Sequence, residues 1–202
     1  MVYNFIHIAK NGGTSFQKIC KKFKFLKYNQ HSVKSKQNSI VVLRNPIERF
    51  ISAVEYSKKK FAEQGVIYTF TPNEVASMMR LGEENRFLKN DNKQKIGKDL
   101  VDYRWIYSPQ SQWFDKPSVI FLFNNFEHEI NFFLQQKKES KIKVPNINKT
   151  RKINCEFAKE NLSFLQNRYK QDIFIWDYWS KIDLEDRIDI QWSKHENFSN
   201  WS

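Results

Sequence analysis

Apolar and polar positions alternate in blocks along the chain, and the blocks change period from strand-like to helix-like. Val2–Ile8 (VYNFIHI) is apolar and rich in β-formers, which predicts a buried strand. A turn, Ala9-Lys10-Asn11-Gly12-Gly13-Thr14-Ser15, follows it. Phe16, Ile19, Cys20 and Phe23 then recur at i, i+3, i+4 and i+7, one face of a helix. Ser39–Leu43 (SIVVL) predicts a second strand, which ends at Arg44-Asn45-Pro46. Pro46 suits the first turn of a helix, where its missing N–H costs nothing, and Ile47, Phe50, Ile51 and Val54 supply that helix with an apolar stripe to about residue 60.

The span 61–117 is less regular. Thr71-Pro72-Asn73-Glu74 has the form of a helix start leading to Met78 and Leu81, and 82–104 is polar and predicts a loop-rich insertion. Ser118–Phe123 (SVIFLF) predicts a third strand, and Phe126, Ile130, Phe133 and Leu134 the helix after it. A basic connection, 137–151, leads to a late helix marked by Ala158, Leu162, Leu165 and Tyr169, then to an apolar piece at Ile173–Trp176. Strands alternating with helices imply an α/β fold with a mainly parallel sheet covered on both faces. With no internal repeat and no clear second domain, the expectation is one domain over 1–202, its last stretch, 181–202, a loosely ordered tail.

Composition narrows the class. Among 202 residues, 18 are Phe and 16% are aromatic, a density that has to be packed away and that excludes a disordered or fibrous chain. No run approaches the ~20 apolar residues of a membrane span. Two Cys make neither a disulfide framework nor a Cys-rich zinc site. Cys20 falls on the apolar face of the first helix, and Cys155 has no evident partner. The net charge of +12 points toward an anionic partner: nucleic acid, a phosphorylated or sulfated small molecule, or an anionic glycan. Its two densest runs, Lys58-Lys59-Lys60 and 137–143, are expected on wet faces. With no room for a secretory leader before Val2, a cytoplasmic location is expected. On the same ground the N-x-[ST] matches at Asn148, Asn161 and Asn197 are read as chance.

The turn at 9–15 carries the most chemistry. Two of the five glycines stand side by side between a strand and a helix, where the backbone can turn sharply and approach a ligand. The helix that follows offers unpaired N–H groups and a positive dipole end, an anion cradle suited to phosphate, with Lys10 beside it. The Walker A order GxxxxGK[ST] is absent, since the Lys precedes the glycines. Arg44 stands at the carboxyl end of a strand, where open α/β sheets place ligands, and its guanidinium suits a phosphate. Ser52, about two turns into the next helix, offers a hydroxyl.

The two segments together carry a resemblance. Phe5-Ile6-His7-Ile8-Ala9-Lys10-Asn11-Gly12-Gly13-Thr14-Ser15-Phe16 is similar to the 5′-phosphosulfate loop of carbohydrate sulfotransferases, FIHIPKTGGTS. Val42-Leu43-Arg44-Asn45-Pro46-Ile47-Glu48-Arg49-Phe50-Ile51-Ser52-Ala53 resembles their 3′-phosphate motif, LRDPVERFLSAY. The family contains the heparan sulfate 2-O- and 6-O-sulfotransferases and the Golgi-type chondroitin sulfotransferases. Weaker echoes are Asn125-Phe126-Glu127, the 144–150 loop (VPNINKT) and Tyr169-Lys170-Gln171-Asp172-Ile173-Phe174. Ala9 stands where the family commonly has Pro, and Asn11 where it commonly has Thr. The interval between the first helix and the second strand is short, so an acceptor-binding insertion is lacking there.

The resemblance implies a P-loop NTPase-like three-layer fold and transfer of a sulfuryl group from 3′-phosphoadenosine 5′-phosphosulfate (PAPS) to an acceptor hydroxyl, on a carbohydrate by preference. Lys10, Asn11, Gly12, Gly13, Thr14 and Ser15 match the 5′ site, and Arg44 and Ser52 the 3′ site. Lys10 would also neutralise charge on the leaving phosphate. His31, between the motifs, matches the interval in which the family places a catalytic His and is the candidate general base; Glu48 and Glu55 are the alternatives. His7, inside the first strand, reads as a packed, hydrogen-bonded residue. The design requires no metal, no nucleic acid and no membrane span. Lipid, small-molecule and protein acceptors stay open. The competing function is a nucleotide or nucleic-acid binding module without sulfuryl transfer; a kinase is disfavoured by the missing Walker A order and the lack of an evident magnesium-binding Asp.

Overall fold

The computed structural model describes residues 1–30, 38–63, 65, 67, 69–83, 106–144 and 155–195. Four strands form one all-parallel sheet: β1 (Tyr3–His7), β2 (Leu26–Gln30), β3 (Ser39–Leu43) and β4 (Val119–Leu122), in the order β2-β1-β3-β4. Helices flank it, in the α/β arrangement that the alternation of periods predicts. The helices of the chain are α1 (Gly13–Cys20), α2 (Pro46–Glu63), α3 (Pro72–Arg80), α4 (Phe126–Gln136), α5 (Lys159–Arg168) and α6 (Lys170–Trp179), of which α1 and α4 cover one face of the sheet. Among the described residues no helix is long and apolar enough to cross a membrane.

The chain divides into two compact units. The first comprises Met1–Asn45, Pro109–Lys149 and Gln171–Ser202, and the second Pro46–Ser108 and Thr150–Lys170. The first unit holds the sheet. Tyr3 and Phe5 of β1, Ile40 and Val42 of β3, and Val119 and Phe121 of β4 point to one face, where Phe16 and Ile19 of α1 and Ile130, Phe133 and Leu134 of α4 cover them. Phe5 and Phe16 stack with ring centroids 3.9 Å apart, and Phe121 meets Phe133 edge-on at 5.7 Å. Burying each such ring stabilises the fold by roughly 1.5–3 kcal/mol.

Beneath this core Glu129 and Arg187 form a buried bidentate ion pair, at 2.8 and 2.9 Å. Glu129 also accepts from Leu122 N at 2.6 Å, and Arg187 donates to the carbonyls of Ile120 and Ile182. The segment 182–190 is thereby pinned to β4, and Ile190 N adds a bond to the Ser118 carbonyl.

In the second unit α3 opens with a complete capping box. The Thr71 hydroxyl accepts from Glu74 N, and Glu74 reaches back to Thr71 N at 2.7 Å, the reciprocal pairing the sequence signals. Asn161 is buried there, donating to Asn73 and accepting from Arg80 Nε at 3.0 Å, so this N-x-[ST] match is a packing residue. Phe50 of α2 packs among Tyr107, Phe157 and Tyr169. Arg49, also buried, donates to the carbonyls of Ile106 and Ser108.

One strand is added to the sequence reading, and one apolar piece gains an element type. β2 is an additional strand: LKYNQ carries one strongly apolar residue, so its hydrophobic signal is weak, and among the described residues it pairs only with β1, at the sheet edge. The apolar piece at 173–176 belongs to a helix, α6, whose buried residues Asp172, Ile175 and Trp179 recur at helical spacing. A buried Asp on the inner face masks that period. Most of the polar insertion at 82–104 and of the 144–150 loop lies outside the described residues.

Candidate functional site

The strand order reverses direction between β1 and β3, because the chain runs outward to β2 on one side and to β4 on the other. In open α/β sheets such a switch point leaves a crevice at the carboxyl ends of the two central strands. The 8–13 turn leaves β1 at that edge, and Arg44 leaves β3 beside it.

The turn is built tightly. Ile8 and Ala9 are buried, and Lys10 adopts a left-handed backbone with φ 67°. That conformation costs a non-glycine residue on the order of 1–3 kcal/mol and clusters at functional sites. Gly12 is also left-handed, with φ 82°, and serves as the N-cap of α1, which has no side-chain cap. Gly13 has a different reason to lack a side chain: a Cβ there would lie 1.8 Å from the His7 ring. His7 in turn shares a 2.7 Å hydrogen bond between its Nδ1 and the Tyr28 hydroxyl. His7 is thus packed and hydrogen-bonded as expected, and it sets the seat on which α1 begins. Thr14 is exposed and Ser15 half-buried in the first turn of α1.

Asn11 is completely buried. Its Nδ2 donates to the Val42 carbonyl at 2.7 Å and to Gln110 Oε1 at 2.8 Å. Its Oδ1 accepts no hydrogen bond among the described residues. A buried acceptor left so costs about 1–3 kcal/mol. Arg44 is half-buried: Nη1 donates to the Lys10 carbonyl at 3.2 Å, and the guanidinium lies 4.4 Å above the Phe123 ring. Phe123 also borders Gly12, whose added Cβ would lie 3.4 Å from it. One aromatic side chain thus backs both the glycine turn and the arginine.

Lys10, Asn11, Gly12, Gly13, Thr14, Ser15 and Arg44 therefore all lie in the first unit, with the turn and Arg44 directly bonded. Ser52 belongs to the second unit, buried on α2. His31 lies outside the described residues. Glu55 of α2 pairs with Lys58 at 2.8 Å, and Glu48 is exposed. Of the lysine runs, Lys137 is more than a wet charge: it pairs with Asp189 at 3.1 Å and lies over the Tyr3 and Phe133 rings. Burial pushes the Cys20 thiol up to about 12, as befits a core residue.

Three residues of this constellation were not singled out by motif: Gln110, Phe123 and Asp172 in its bonded role. Asp172 accepts from Gln110 N at 2.6 Å and from Ser111 N at 2.9 Å. Nothing in the sequence near Gln110 marks it, because its partners are 66 and 99 residues away. The chain matches no protein-family model, and no curated protein matches it.

The residues present suit an anionic ligand. Two cationic residues meet at one turn, a helix opens uncapped beside them, and two glycines keep the backbone bare.

Proposed function

We propose that the chain is a sulfotransferase that moves a sulfuryl group from PAPS to an acceptor hydroxyl. The observation that carries this reading is the coincidence, at the switch point of a parallel sheet, of the Gly12-Gly13 turn and Arg44, joined through the Lys10 carbonyl. The motif resemblance of both segments supports it independently.

The donor supplies one piece of chemistry, a sulfuryl group activated by its bond to a 5′-phosphate. The protein supplies position and charge. Backbone N–H groups at the start of α1 hold the 5′-phosphate, aided by the helix dipole. Lys10 offsets the negative charge that develops on the oxygen bridging sulfur and phosphorus. Arg44 holds the 3′-phosphate. The acceptor oxygen forms a new bond to sulfur, the bond from sulfur to the bridging oxygen breaks with its electron pair, and the acceptor proton passes to a base, for which His31 is the candidate. As in phosphoryl transfer, most of the rate comes from alignment and preorganised electrostatics. A carbohydrate acceptor is favoured by the resemblance, and the cytoplasm is the setting proposed.

The test is an acceptor screen with labelled PAPS over polysaccharides, lipids and small alcohols. Label should pass to a hydroxyl-bearing acceptor, and Lys10→Ala should abolish transfer. No transfer to any acceptor, with DNA or RNA binding that weakens steeply with salt, would instead establish the nucleic-acid reading.

A further inference from the structure

Gln110 is completely buried, and its polar groups serve different segments. Its Oε1 accepts from Asn11 Nδ2 at 2.8 Å and from Arg44 N at 3.4 Å, and its Nε2 donates to the Arg44 carbonyl at 2.8 Å. Its own N–H is anchored on Asp172. The amide orientation is determined by these partners, since a flip would set donor against donor at Asn11 and acceptor against acceptor at Arg44.

The ladder between β3 and β4 ends with Leu43 opposite Leu122. Arg44 is the first residue beyond it, and the Gln110 side chain takes the place of a further strand, bonding both backbone groups of Arg44. It also bonds Asn11, the residue after Lys10. One amide therefore sets the spacing between the two cationic residues of the site.

We infer that Gln110 is a positioning residue for donor binding: it holds Arg44 directly and the Lys10 turn through Asn11, without itself touching the donor. This rests on the PAPS reading of the same site. The test uses Gln110→Met, which keeps length and volume but makes none of the bonds, and adenosine 3′,5′-bisphosphate as the probe. Calorimetry is run well below the melting temperature of every variant. Gln110→Met should weaken binding at least tenfold. Phe133→Leu, a core change on α4 chosen to lower the melting temperature comparably, should leave affinity within twofold. Gln110→Asn, which keeps the amide one methylene short, should fall between and serves if Gln110→Met does not fold. Affinity within twofold of native for the Gln110 variants would overturn the inference and leave the donor reading standing. So would an equal loss in Phe133→Leu, since the effect would then follow stability alone. A native protein that does not bind the probe would overturn the donor reading, and this inference with it.

Discussion

Glu129 and Arg187 are buried together beneath the sheet, and their charges cancel through two short bonds, with further bonds to the β4 backbone. At the carboxyl edge of the same sheet the polar groups are arranged otherwise. Arg44 is held by the carbonyl of another cationic residue and by an aromatic face, Lys10 has a strained backbone, and the Asn11 Oδ1 is buried without a hydrogen bond among the described residues. One cluster is closed upon itself and serves the fold. The other holds positive residues and a bare backbone in place at a cost to stability, which under the proposed function is preorganisation for an anion.

The contrast can be broken most forcefully at the closed cluster. Glu129→Ala leaves Arg187 buried without its counter-charge and should cost about 3–5 kcal/mol in urea unfolding. Gly13→Ala forces a methyl into the His7 ring and should cost roughly 1–3 kcal/mol, the overpacking range, with loss of the His7–Tyr28 bond visible in imidazole NMR shifts. Lys10→Gly should do the opposite: removing the left-handed strain should leave stability unchanged or raise it by up to about 1 kcal/mol, while bisphosphate binding falls. The smallest effect lies in the second unit. Bonds from the Thr71 backbone and then the Thr71 side chain hold the Glu74 carboxyl below its ordinary value. Its contribution is therefore full above the unfolded carboxylate range and is lost as pH falls through the folded value. The melting difference between native protein and Glu74→Ala should close on acidification below about pH 4.

Much of the fold was legible because its signals are local. The 2–8 and 39–43 strands, the glycine turn and the Thr71 cap each announce themselves within a few residues. β2 was not legible, since an edge strand with one strongly apolar residue has no period to read. Gln110 and Phe123 were not legible either, because their importance arises from contacts across the sheet that no spacing encodes. Asn11 was noted as a departure from the resembled motif, yet its burial and its bond to Val42 appear only when β1 and β3 lie side by side.

The most direct measurement is titration of the native protein and of Arg44→Ala with adenosine 3′,5′-bisphosphate by calorimetry, paired with thermal melting. The native protein should bind and melt higher with the nucleotide, and Arg44→Ala should lose most of that affinity while its own melting temperature changes little. No binding and no shift for the native protein at millimolar nucleotide would contradict the assignment of the carboxyl edge as a nucleotide site.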